Sequence, residues 1–183
     1  MQISEPAEYA ILGLLYTEAR HGYELFQQFE HGILGEIVHL EMSQMYAFLK
    51  KLERLGYIKS EVSTQGTRPP RKVLYLTAEG RDVFLNWLQQ PAEKPRDIRI
   101  LYLIKLYFVQ RILPAQTSQL LEKQVQACQQ FLASLESRQK EVTAKRADDA
   151  EFFDQVVLRS RIYQTRALLD WLDELKTEIG VSH

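Results

Sequence analysis

The sequence predicts a mostly α-helical fold in two parts, a domain at residues 1–90 and a second domain at residues 91–183. The first part combines short helical patterns with one basic β-hairpin. The second part is helical throughout and carries long apolar seams. Between the two parts lies the polar stretch QQPAEKP, whose two prolines are typical of a domain boundary.

A helix is predicted from Ser43 to Gly56, because at about 100° per residue its apolar and polar side chains fall on opposite sides. The polar side holds Ser43, Gln44, Ala47, Lys50, Lys51 and Arg54, with Tyr46 at its edge. Ser43 is suited to cap the first turn, and Gly56 is suited to follow the last one. Both ends of this basic helix are therefore marked.

Two strands are predicted next, at residues 58–63 and 71–77, because their apolar and polar residues alternate. The connecting segment TQGTRPP contains a glycine and paired prolines, which are typical of a turn. Positive charge lies at the tip and in the return strand, at Arg68, Arg71 and Lys72.

Two short helical patterns precede the basic helix, at residues 7–17 and 23–29, with a loop predicted at residues 31–35. Short helices followed by a basic hairpin have the layout of a winged helix-turn-helix domain that binds DNA. The predicted core of this domain consists of Ile11, Leu12, Leu15, Leu25, Phe29, Met45, Leu49, Leu52, Val62, Val73 and Tyr75.

Charge is unevenly distributed, although the whole chain carries a net charge of −1. Residues 1–42 hold one basic and seven acidic residues, whereas residues 43–72 hold seven basic and two acidic residues. A compact cationic surface facing phosphate is favoured by counterion release. Basic runs also occur on surfaces that bind nothing, so charge alone leaves both interpretations open. The helices upstream favour DNA binding.

Four segments, in this order and spacing, resemble the N-terminal domain of PadR-family transcriptional regulators: AILGLL, HGYEL, SQMYAFLKKLERLGYI and RKVLYLTAEGRDVF. The resemblance spans residues 6–90. The chain departs from the family pattern at Ala47, where a proline usually follows the tyrosine of the DNA-reading helix. Proline is tolerated only in the first turn of a helix, so alanine should leave the fold intact while changing how the helix starts.

The resemblance implies a set of DNA contacts. Facing the major groove or its flanking phosphates are Ser43, Gln44, Tyr46, Lys50 and Lys51, and the wing carries Arg68, Arg71 and Lys72. Gln44 is the best candidate for reading a base, because its amide can form two hydrogen bonds with adenine. The lysines and Arg54 suit phosphates, and Arg68 suits a minor groove.

Tyr23 and His21 lie at the start of the second helix, where backbone N–H groups favour a phosphate. Contact with DNA is therefore expected for Tyr23. For Tyr23 and Tyr46, packing at the edge of the domain is the alternative.

The second part begins with a strongly apolar pattern at residues 98–109, which is too short for a membrane span of ~20 residues. Two long helices with apolar seams are predicted at residues 116–142 and 151–179. These helices cannot cover all of their seams within a compact monomer, so a coiled-coil-like dimerisation domain is expected.

The segment RDIRILYLIKLYF and the long helix after it resemble the C-terminal domain of the virulence-activator branch of the PadR family. This resemblance spans residues 96–180 and implies a homodimer through the C-terminal helices. A two-fold dimer places its DNA-reading helices roughly 34 Å apart, on successive major grooves of a pseudo-palindromic site. The expected function is that of a sequence-specific transcriptional repressor whose partner is double-stranded DNA.

No catalytic, cofactor-binding or metal site is predicted, because the four histidines lack ligand spacing and no nucleotide-binding or hydrolase motif occurs. The single cysteine, Cys128, lies on an apolar seam, so a buried thiol is expected, with pairing across a dimer as the alternative. One cysteine and no signal-like N-terminus are typical of a cytoplasmic protein.

Two alternatives stay open. A helical adaptor that binds an acidic protein or an anionic membrane surface is the rival to a DNA reader. A small aromatic effector is the second open question, since the aromatic residues of the C-terminal half and its border either line a pocket or fill the core. These residues are Trp87, Tyr102, Tyr107, Phe108 and Trp171.

Overall fold

The computed structural model of the protein describes residues 2–63, 71–93, 97–143 and 149–181. The chain divides into two compact units. Unit 1 comprises Met1–Gln89 and Leu103–Val109, and unit 2 comprises Gln90–Tyr102 and Gln110–His183. The domain boundary after residue 90 stays a prediction.

Unit 1 has the architecture of a winged helix, as predicted. Its elements in chain order are α1 (Pro6–Thr17), β1 (Arg20–His21), α2 (Gly22–Glu30), α3 (Ile33–Ile37), α4 (Met42–Arg54), β2 (Ile58–Ser63), β3 (Arg71–Leu76) and α5 (Ala78–Leu88), and it also includes most of α6 (Leu103–Ile112). The strands form one antiparallel sheet in the order β1-β3-β2. The hairpin of β2 and β3 is the wing, and it follows α4 directly.

The core of unit 1 contains most of the residues predicted for it. Buried are Ile11, Leu12, Leu15, Leu25, Phe29, Met45, Leu49 and Leu52. The prediction is wrong for Val62, which is 67% exposed. Val62 pairs with Lys72 near the tip of the wing, whereas Ser60 pairs with the buried Leu74 closer to the core. The apolar face of the hairpin therefore leaves the core before it reaches Val62.

The start of α4 differs from the prediction of Ser43 as its N-cap. Glu41 is the N-cap, and its backbone N–H donates to Gln44 Oε1 at 3.0 Å in a capping box. This cap satisfies one of the backbone N–H groups that have no partner inside the helix. The other end is as predicted, since Gly56 follows the last turn with a φ of 76°, where glycine is favoured.

Two short elements are not predicted by the sequence pattern. β1 has only two residues, too few for strand alternation to be visible, and it pairs Arg20 with Leu74 of β3. The predicted loop at residues 31–35 is wrong, because α3 begins at Ile33 and buries Leu34. Tertiary burial of this leucine outweighs the weak helical propensity of the neighbouring glycines.

The sequence TAEG joins the wing to α5. β3 ends at Leu76 rather than at residue 77, because Thr77 Oγ1 accepts from the backbone of Gly80 at 3.0 Å and so caps α5. The backbone N–H of Thr77 donates to the Tyr57 carbonyl at 3.0 Å. A Cβ on Gly80 would lie 2.1 Å from that carbonyl oxygen, so this close approach requires glycine.

The described elements of unit 2 are all helical. A π-helix at Ile98–Tyr102 continues directly into α6, so residues 98–109 are helical as predicted, with a π-helical first part. A short 3-10 turn then leads to α7 (Thr117–Thr143) and α8 (Asp149–Val181), which confirm the two predicted long helices. No helix within the described ranges is both long and apolar enough to cross a membrane.

The helices α7 and α8 pack against each other along their apolar seams. Leu135, Leu158 and Ile162 form a buried cluster, with Phe131 and Leu132 packed against it. Cys128 is buried on α7, as predicted, and burial raises the pKa of its thiol. The thiol therefore stays protonated and has little reactivity in this position.

A buried lysine lies in unit 1. Lys105 of α6 is 2% exposed, and its ammonium donates to the Trp87 carbonyl and lies 3.8 Å from the centroid of the Trp87 ring. Tyr9 stacks on the same ring, with centroids 4.1 Å apart. Burial lowers the pKa of Lys105 to about 7, since removal from water disfavours its charged form.

We expect the burial of Lys105 to make the stability of the protein depend on pH. The unfolded lysine has a pKa of about 10.4, so above the folded pKa of about 7 the unfolded state binds the extra proton. The free energy of unfolding should then rise between about pH 7 and about pH 9, by up to ~1.4 kcal/mol per pH unit. Urea denaturation of the wild type, Lys105→Met and the exposed control Lys176→Met measures this. Identical pH slopes for all three proteins would contradict the expectation.

Candidate nucleic-acid interface

The polar face of α4 is open to solvent, because Met45, Leu49 and Leu52 on its other side are buried. Among the residues predicted to contact DNA, those exposed on α4 are Ser43, Gln44, Tyr46, Lys50 and Arg54. Tyr46 is 52% exposed, and Tyr23 at the start of α2 is 53% exposed. Such exposure favours a contact role for the two tyrosines over packing at the domain edge.

An open groove of about 820 Å³ lies between α2, α4 and the sheet. It brings together four of the predicted contact residues, which are Tyr23, Tyr46, Lys50 and Lys72. Gly22 allows α2 and α4 to approach, since a Cβ there would lie 3.2 Å from both Leu49 and Tyr46. The groove therefore places two phenol hydroxyls and two ammonium groups on one surface.

Gln44 lies away from this groove. At about 100° per residue it is separated from Lys50 by about 120° around the helix. Its side-chain oxygen also accepts the capping hydrogen bond from Glu41 at 3.0 Å. Reading an adenine through two hydrogen bonds would require that oxygen as an acceptor for the base. A base contact by Gln44 therefore competes with the cap of α4.

Lys51 is engaged within the protein. Its ammonium lies 2.8 Å from Oε1 of Glu8 and donates to Oε2 at 2.9 Å and to Ser4 Oγ at 3.0 Å. Glu8 is fully buried and also accepts from the backbone of Ser4 and Glu5. Removing Lys51 would leave the buried charge of Glu8 without its cation, at a cost of roughly 3–5 kcal/mol. Lys51 thus ties α4 to the start of α1 and is a weaker candidate for a DNA contact than Lys50.

The wing contributes one described cationic side chain to the groove. Lys72 donates to Glu53 Oε2 at 3.0 Å, and Ser60 donates to Oε1 of the same carboxylate. Arg68 and the side chain of Arg71, both predicted to contact DNA, lie outside the described residues. The minor-groove role expected for Arg68 therefore stays a prediction.

Glu8 and Glu53 are the site residues that the sequence pattern left without a role. Glu53 follows Lys50 by three residues, so helical spacing places the two on neighbouring positions of α4. His21, at the start of α2 where a phosphate contact is expected, is the last residue of β1, and its Nδ1 lies 2.9 Å from the carbonyl of Lys72 on β3. Glu8 precedes Lys51 by 43 residues, and only the folded chain brings the two side chains together.

Of the five aromatic residues considered for an effector site, two are buried in the cores of the units and the other three are half-buried. In unit 1, Phe108 is buried and meets Phe84 edge to face at 5.5 Å. In unit 2, Tyr102 is fully buried and meets Trp171 edge to face at 6.0 Å. The Tyr102 hydroxyl has no hydrogen-bond partner among the described residues. Among the described residues, no three or more histidine, cysteine or acidic side chains are grouped so that they could hold a metal ion.

Comparison with known families identifies the family of the chain. Residues 11–86 match the model of the transcriptional regulator PadR-like family, and residues 98–179 match that of the virulence activator alpha C-terminal domain. The chain belongs to the PadR-like family of transcriptional regulators. The family and the relatives below are regulators, which confirms the prediction that the protein is not an enzyme.

Two curated relatives match nearly the whole chain. The negative transcriptional regulator PadR of Bacillus subtilis is 27% identical over 172 residues, covering 92% of this chain and 94% of the relative. A probable transcriptional regulator of Mycobacterium tuberculosis is 25% identical over 180 residues, covering 91% and 94%.

Solved structures of Bacillus subtilis PadR also match. The complex with operator DNA is 26% identical, covers 96% of this chain and 99% of that one, and has a TM-score of 0.47. The complex with p-coumaric acid is 25% identical, with the same coverage and a TM-score of 0.43.

Proposed function

We propose that this protein is a sequence-specific, homodimeric transcriptional repressor that binds a pseudo-palindromic operator through α4 and the wing. The observation that carries the proposal is the shared groove, where Tyr23, Tyr46, Lys50 and Lys72 from three elements face one solvent-exposed surface. The relative in Bacillus subtilis is a negative regulator, which supports repression. DNA suits this surface better than an acidic protein, because phosphates occur along a duplex at a regular spacing that several cations can meet at once.

The contacts divide into positioning and reading roles. Lys50, Arg54 and Lys72 position the domain on phosphates, and Arg71 does so from the wing. Ser43, Gln44 and Tyr46 lie toward the N-terminal half of α4, the part of a recognition helix that reaches base edges. Gln44 reads its base only where the operator contact outweighs the cap bond to Glu41.

Selection from a random duplex pool at about physiological salt should enrich two half-sites about one helical turn apart. On the selected site and on random DNA, Lys50→Ala should weaken binding equally and reduce the salt slope by about 0.9. Gln44→Ala should cost roughly 1–3 kcal/mol on the selected site only. Lys176→Ala, an exposed lysine of unit 2, is the charge-matched control. No enrichment by a folded protein would favour the adaptor interpretation.

The dimer proposal depends on one face of α8. The side of α8 that meets α7 is buried at Leu158, Ile162 and Leu172. On the other side a second apolar stripe is exposed, comprising Phe152, Phe153, Val156, Val157 and Tyr163. At helical spacing these five side chains share one face. A second copy of the chain is the partner, because two equal stripes cover each other in a two-fold dimer and duplicate the DNA-reading helix.

We expect Phe153→Asp combined with Val157→Asp to convert the dimer into a monomer, because two charges would be buried in an apolar interface. Sedimentation velocity measures the change. Gln130→Asp combined with Ser137→Asp adds the same charge at exposed positions of α7 and should leave the dimer intact. If the protein with Phe153→Asp and Val157→Asp remains a dimer, the two copies associate through a surface other than this stripe of α8.

A small aromatic molecule is the proposed effector that regulates DNA binding. It is supported by the buried Tyr102 hydroxyl, which has no hydrogen-bond partner among the described residues, and by the edge-to-face contact of the Tyr102 ring with the half-buried Trp171. Such a molecule regulates DNA binding only if it prefers one of two spacings of the DNA-reading helices.

Fluorescence titration locates this site, because the chain has only two tryptophans. With p-coumaric acid as the probe, the Trp87→Phe protein, which retains Trp171, should show saturable quenching. The Trp171→Phe protein should show none, and Tyr102→Phe should weaken the quenching at Trp171. A response that survives in Trp171→Phe alone would place the ligand near Trp87 instead.

A further inference from the structure

Glu53 occupies the junction between α4 and the wing, inside the surface proposed to meet DNA. Its two carboxylate oxygens have different partners, since Oε1 accepts from Ser60 of β2 and Oε2 accepts from Lys72 of β3 at 3.0 Å. The side chain also lines the groove that holds Tyr23, Tyr46 and Lys50. An acidic group therefore lies among the cations and phenols that would meet phosphate.

Glu53 is held in its charged form. The hydrogen bond from Ser60, followed by that from Lys72, keeps the pKa of its carboxyl below the ordinary value. At neutral pH the groove thus contains a permanent negative charge beside Lys72. A negative charge at this position repels a phosphate that approaches the lysine.

The backbone of Lys72 is fixed, so only its side chain can change partners. In the sheet Lys72 pairs with Val62 of β2, and its carbonyl lies 2.9 Å from His21 Nδ1. The ion pair itself is open to water, with side chains of Lys72 and Glu53 that are 56% and 36% exposed. Exposed pairs of this kind are weak, so a phosphate brought close enough can replace the carboxylate.

We propose that Glu53 makes the contact between Lys72 and DNA conditional on close seating of α4, and so raises discrimination between the operator and other DNA. On random DNA, α4 is held by phosphates alone, and Lys72 stays paired with Glu53. On the operator, base contacts hold α4 deeper in the major groove, and a phosphate displaces the carboxylate from Lys72. This inference rests on the proposed DNA-binding function and assigns a specificity role to an acidic residue of the same surface.

The test compares Glu53→Gln with Glu61→Gln. Glutamine keeps an acceptor for Ser60 but removes the charge that holds Lys72. Glu61 is a matched control, because it pairs with Lys59 at 2.7 Å and lies on the opposite face of the wing from Ser60. Both variants change the net charge equally, and each releases one lysine.

Affinities are measured for a random duplex and for the duplex selected by the wild type, over a series of salt concentrations. We expect Glu53→Gln to bind random DNA about two- to fivefold more tightly. The salt slope on random DNA should steepen by about 0.9, the value for one added phosphate contact. On the selected duplex the salt slope should not change, and the ratio of selected to random affinity should fall. Glu61→Gln should match the wild type.

Adding Lys72→Met to Glu53→Gln should abolish the gain on random DNA, because the released lysine causes it. A purely structural role for Glu53 predicts weaker binding or lower stability, not tighter binding. The inference is overturned alone if the wild type selects a site but Glu53→Gln gains nothing on random DNA, or if Glu61→Gln gains as much. A wild type that binds no duplex overturns the proposed function together with this inference.

Discussion

The burial of Met45, Leu49 and Leu52 sets the rotation of α4, and the whole candidate interface depends on that rotation. Fully burying an aliphatic side chain of this size contributes about 1.5–3 kcal/mol, so turning the helix about its axis would cost far more than any surface contact could return. The opposite side of α4 must then face solvent. Tyr46 and Lys50 are presented beside the wing as a direct consequence of this packing.

Ion pairs hold α4 from two sides and divide its charged residues into different roles. Lys51 is taken up by the buried Glu8 at the start of α1, while its neighbour in sequence, Lys50, remains exposed in the groove. On the wing side, Glu53 joins α4 to both strands through Ser60 and Lys72. The number of cations available on this surface is therefore smaller than the number of basic residues in the sequence of the basic helix and wing. The surface also contains an acidic group.

Periodicity was sufficient for the elements that bury a continuous apolar face. The basic helix, the hairpin and the two long C-terminal helices repeat their apolar residues often enough for the pattern to exceed chance. The one-turn helix α3 and the two-residue strand β1 are too short to show any period, so the sequence pattern does not reveal them. The predicted N-cap of α4, Ser43, is wrong because Ser43 and Glu41 both suit a helix N-terminus, and only the backbone geometry selects Glu41.

Local sequence by itself determined the fold class and the position of the basic helix, because these depend on spacings of three, four and two residues along the chain. The family resemblance was also readable from the sequence, since it depends on the order and spacing of short motifs. The tertiary structure decided which side chains of that helix remain available. Lys51 meets Glu8 across more than forty residues, and Lys72 meets Glu53 across nineteen. Contacts at such separations depend on the packing of α1, α4 and the wing, which no local pattern encodes.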